Sequence, residues 1–117
     1  MSERRTYVAG EWITGDELLE VENPADETSA GSVTVTPPSG FRAAIDAARE
    51  SFDRGVWADL SPADRARVLH AFCDAVEADR EPLLDTIVAE AGQPRFFAER
   101  AQLGLGLSLA RDTIELY

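Results

Sequence analysis

One dipeptide, Pro37-Pro38, sets the strongest limit on what this chain can form. Proline has no backbone N–H to give to a strand ladder, so the pair ends any sheet that precedes it. The residues before it have strand and turn character, and those after it repeat with helical spacing. The expected fold class is therefore α+β with segregated halves, strands and turns over 6–36 and helices over 40–117. No repeat and no interdomain linker interrupts either half. With 117 residues the chain has room for one modest core.

The strand half is punctuated by turns. Thr6-Tyr7-Val8-Ala9 and Glu11-Trp12-Ile13 flank Gly10, the pattern of a tight hairpin. Gly15-Asp16 predicts a second turn. Leu18 to Glu22 alternates loosely and runs into the turn signal Asn23-Pro24. Gly31-Ser32-Val33-Thr34-Val35 is rich in β-branched residues and reads as another strand.

The helical half predicts about four helices. Phe41, Ala44, Ile45, Ala48 and Phe52 share one face, and Gly55 ends that helix. Ser61-Pro62-Ala63-Asp64 is a start signal: a serine that can cap, a proline suited to the first position, and an acid at the positive end of the dipole. Ala66, Leu69, Phe72, Cys73 and Val76 then form a stripe. Pro82 opens a third helix through Leu83, Leu84, Ile87 and Val88, closed by Gly92. Pro94 opens a fourth, whose face Leu103, Leu107, Ala110, Ile114 and Tyr117 runs to the last residue. That ending, without a capping glycine, reads as a truncation.

Charge and cysteine content narrow the function classes. Twenty-two acids face eleven bases, all arginine, for a net charge of −11. Such a surface repels phosphate backbones, so nucleic acid is not the expected partner. A lysine-free acidic surface is read as adaptation to the host. No apolar run reaches the ~20 residues of a membrane span, and the polar start Met1-Ser2-Glu3-Arg4-Arg5 lacks a secretory signal. A single cysteine excludes an internal disulfide, and the expected compartment is the cytoplasm.

Few residues here could carry chemistry. Cys73 lies on an apolar stripe and reads as a small core hydrophobe, not a nucleophile. His70, three positions earlier, is close enough on a helix for a thiol–imidazole pair but shows no orienting partner, and reads as an edge or interface residue. Gly104-Leu105-Gly106 lies inside a helical pattern with no preceding strand, so it reads as close helix packing, not a phosphate loop. Asp46, Glu50, Glu77 and Asp79 occupy outward positions and read as a solvated face.

Several ordered segments resemble the start of the aldehyde dehydrogenase superfamily. Tyr7-Val8-Ala9-Gly10-Glu11-Trp12-Ile13 is similar to its first hairpin, and Val21-Glu22-Asn23-Pro24-Ala25-Asp26 to its Asn-Pro segment. Ala43 to Phe52 resembles its first long helix. Trp57 followed by Ser61-Pro62-Ala63-Asp64-Arg65-Ala66-Arg67-Val68-Leu69 is similar to its Trp and acid-Arg run. Ala89-Glu90-Ala91-Gly92-Gln93-Pro94 is similar to the end of its third helix.

The resemblance implies that residues 1–117 are the N-terminal part of such a fold, with helices that pack on a dinucleotide-binding domain. The family reaction would oxidise an aldehyde to a carboxylic acid with NAD or NADP, through a cysteine thiolate. The catalytic and cofactor residues of the family lie beyond the matched segments, so the resemblance assigns neither here. It implies no cofactor for this chain alone, and Cys73 does not correspond to the nucleophile. It does imply a monovalent-cation site built from the carbonyls of Val21 and Glu22 and the carboxylate of Glu90, oxygen ligands suited to a hard cation. The implied role is an N-terminal fragment, inactive alone, whose partner is the remainder of the fold or a second copy. The alternative is a short non-catalytic interaction or subunit protein, motivated by apolar faces on the third and fourth helices.

Overall fold

The computed structural model describes residues 5–116. They form four short strands followed by helices, in two compact units. The first contains Glu27–Asp59 and the strands up to Glu22; the second contains Asn23–Asp26 and the helices from Leu60 onward. Among the described residues no helix is long and apolar enough to cross a membrane. Tyr117 and the start Met1-Ser2-Glu3-Arg4 lie outside the described residues.

In the first unit, β1 (Thr6–Val8) and β2 (Glu11–Ile13) pair antiparallel, with Thr6 opposite Ile13 and Tyr7 opposite Trp12. The two-residue turn places both Ala9 (φ 52°) and Gly10 (φ 94°) at positive φ. That geometry matches the twist of the flanking strands, and glycine adopts it without the Cβ clash that Ala9 accepts. Tyr7 and Trp12 meet edge to face, with ring centroids 5.1 Å apart.

A second antiparallel pair joins β3 (Glu17–Glu22) to β4 (Ser29–Val35), which starts two residues before the expected strand. Val21 pairs with Gly31 and Glu22 with Ser29, so Ala30 is bulged out of the ladder. Gly15 is fixed by contact: a Cβ there would lie 1.8 Å from the carbonyl oxygen of Val35.

Helix α1 (Pro38–Asp53) begins earlier than expected, because the two prolines have a second role. Pro37 is the residue before the first turn and Pro38 opens it. The same missing N–H that ends a strand costs nothing in the first turn, where N–H groups have no intrahelical partner. Gly55 follows the last turn at φ 68°. Phe41, Ile45 and Phe52, the expected inward face, are 60%, 68% and 74% exposed. The face toward the unit's own hairpin carries small residues instead: Gly40, against Ile13 and Thr36, and half-buried Ala44 and Ala47.

The second unit holds α2 (Pro62–Ala78), α3 (Arg80–Ala91), α4 (Arg95–Phe97), a π-helical stretch over Ala98–Gly104, and α5 (Leu105–Ile114). Ser61 caps α2 as predicted: its hydroxyl oxygen accepts from the Asp64 N–H at 3.1 Å, and its O–H donates to the Asp64 carboxylate at 2.7 Å. Helix α3 starts at Arg80, two residues before Pro82. Proline is tolerated there because it still falls within the first turn.

The core gathers around Leu84, Ala98 and Leu103, with Val76, Leu83, Ile87, Val88 and Leu107 packed against it. Cys73 is buried, while Leu69 and Phe72 from the same expected stripe are exposed. The face α2 turns inward is carried by Ala66, His70, Cys73 and Val76. Gly104-Leu105-Gly106 also differs from expectation. A Cβ on Gly104 would lie 2.8 Å from its own helix, at the Glu99 carbonyl, and one on Gly106 would meet nothing within 4 Å. The glycine at 104 accommodates the wide π turn rather than a neighbouring helix.

Candidate functional site

The residues of the Asn-Pro segment and of the third-helix end come together at Gly92. Helix α3 ends there in the left-handed conformation, φ 59° and ψ 26°, which glycine adopts without strain. The space a Cβ would fill is taken by the Ala25 N–H nitrogen at 2.7 Å and Pro24 Cγ at 2.9 Å. The turn itself is held by Asn23, whose side-chain oxygen accepts from the Ala25 N–H at 3.0 Å. Two motifs far apart in the chain thus form one contact by backbone shape. Next to it, the Gln93 side-chain nitrogen is buried with no hydrogen-bond partner among the described residues.

Val21 and Glu22 lie on β3 in the first unit, on either side of the bulge, with Val21 half-buried and Glu22 exposed. Glu22 lines an open acidic cleft of about 240 Å³ with Glu20, Glu27, Thr28 and Ser29. Glu90 stands exposed on α3 in the second unit. Among the described residues, no group of three or more His, Cys, Asp or Glu side chains is placed to hold a metal ion.

His70 and Cys73 take different environments on α2. Cys73 is 2% exposed, so its thiol has no access to a substrate. His70 has the partner the sequence did not show: its Nε2 lies 3.0 Å from Glu115 Oε1, beyond the end of α5. One turn along, Arg111 donates to Asp74 at 2.7 Å, and this bond holds the guanidinium pKa above its ordinary value. Both pairs join α2 to the last helix. They are exposed, so each contributes little to stability. Arg80 bridges Glu77 and Glu99, and Arg95 bridges Asp85 and Glu81, in the same manner along α3 and α4. Arg111, Arg80 and Arg95 thus each pair with exposed acids.

Turns, caps and glycine contacts fix backbone shape, and the one thiol is closed off. A model of the aldehyde dehydrogenase family matches residues 12–116. The chain is 27% identical over 107 residues to the cytosolic 10-formyltetrahydrofolate dehydrogenase of Xenopus tropicalis, covering 90% of this chain and 12% of that protein. It is 30% identical over 91 residues to malonate-semialdehyde dehydrogenase 1 of Geobacillus kaustophilus, covering 76% and 18%. Among solved structures, the NAD+ complex of the Bacillus cereus aldehyde dehydrogenase superposes with a TM-score of 0.87 at 26% identity, over 97% of this chain and 24% of that one.

The chain belongs to the aldehyde dehydrogenase family. It spans between about an eighth and a quarter of the length of these relatives.

Proposed function

We propose that this chain acts as a structural segment of an NAD(P)-dependent aldehyde dehydrogenase, oxidising an aldehyde to a carboxylic acid only together with the remainder of that fold. The observation that carries this reading is the superposition of nearly the whole chain on a quarter of the Bacillus cereus enzyme. A backbone already shaped as in a complete enzyme is suited to supporting a site built elsewhere.

A nicotinamide dinucleotide does not fit the described residues. Its pyrophosphate needs glycine-rich backbone opening a helix after a strand. Here Gly104 and Gly106 lie within a continuous helical run, where the N–H groups serve the helix. The reading therefore assigns this chain no step of the reaction. A monovalent cation at the Val21 and Glu22 carbonyls and the Glu90 carboxylate belongs to the same proposal and rests on the resemblance. We place the chain in the cytoplasm, supported by its single cysteine and by relatives that are named as cytosolic.

The test supplies the chain in trans. Bacillus cereus aldehyde dehydrogenase lacking the matching quarter is mixed with this chain, NAD+ and a short aliphatic aldehyde, and NADH absorbance is followed. NADH forms faster in the mixture than with either part alone. No gain on mixing, or robust turnover by the 117-residue chain alone, would overturn the reading.

A further inference from the structure

We draw no further inference here: the strongest candidate, the cleft that Glu20, Glu22 and Glu27 line with Thr28 and Ser29 at the end of the β3–β4 ladder, is a cluster of exposed acids, and nothing else among the described residues points to a ligand that would occupy it.

Discussion

Replacing Gly92 with alanine tests the contact that joins the Asn23–Asp26 turn to the end of α3. Two costs add. Holding an L-residue at φ 59° costs roughly 1–2 kcal/mol, because its Cβ crowds the following carbonyl. That Cβ must also find room 2.7 Å from the Ala25 nitrogen and 2.9 Å from Pro24 Cγ. The first is backbone and cannot swing aside as a long side chain would. Overpacking of this kind costs about 1–3 kcal/mol, for a sum of about 2–5 kcal/mol. For a unit of roughly 60 residues, each kcal/mol lowers the midpoint by about 4–8 °C, so Gly92→Ala should melt about 10 °C or more below wild type.

Gly106→Ala is the internal control. It makes the same chemical change within a helix, where a Cβ meets nothing within 4 Å. Glycine in a helix interior is about 0.5–1 kcal/mol less favourable than alanine, so this variant should melt a few degrees higher. Thermal and urea unfolding followed by circular dichroism read both. Opposite signs support the argument. A Gly92→Ala protein as stable as wild type would show that neither the left-handed cap nor the Pro24–Ala25 contact constrains the chain.

Two further outcomes follow from the second unit. Asp64 is held below the usual carboxylate range, first by the Ser61 hydroxyl and then by Arg67. A lowered folded pKa means that its contribution is fully present above the unfolded value and is lost as pH falls through the folded one. Ser61→Ala should therefore raise the Asp64 titration midpoint seen by NMR and remove about 1 kcal/mol of helix capping; an unmoved midpoint would refute the hydrogen bond. Cys73, 2% exposed, should resist an aromatic disulfide reagent in the native chain and react fully in denaturant; rapid native reaction would refute its burial.

Much of the local architecture was legible because its causes are local. The Ser61 cap, the positive-φ turn at Gly10, the left-handed stop at Gly92 and the strand-to-helix change at Pro37-Pro38 each depend on a residue and its near neighbours. Family membership was legible for a related reason: the ordered motifs mark those same turns and caps. Less of the site could be read. Val21, Glu22 and Glu90 could be assigned to strand and helix, but the sequence could not say which groups surround each of them. His70 had no visible partner because Glu115 is 45 residues away and lies beyond another helix.

Periodicity identified the apolar stripes on α1 and α2 but not their neighbours. Apolar residues at helical spacing establish that a face exists, whereas contact depends on how closely two backbones can approach. On α1 the small residues Gly40, Ala44 and Ala47 permit that approach to the chain's own strands and leave Phe41, Ile45 and Phe52 uncovered. On α2, Cys73 and His70 turn inward and Leu69 and Phe72 do not. Gly15 is required by the Val35 carbonyl, and Gly104 by a π turn that no local pattern announces. The sequence alone determined where elements begin, turn and stop, since capping and backbone sterics act over a few residues. The tertiary structure decided which faces meet, since that depends on distances between residues far apart in the chain.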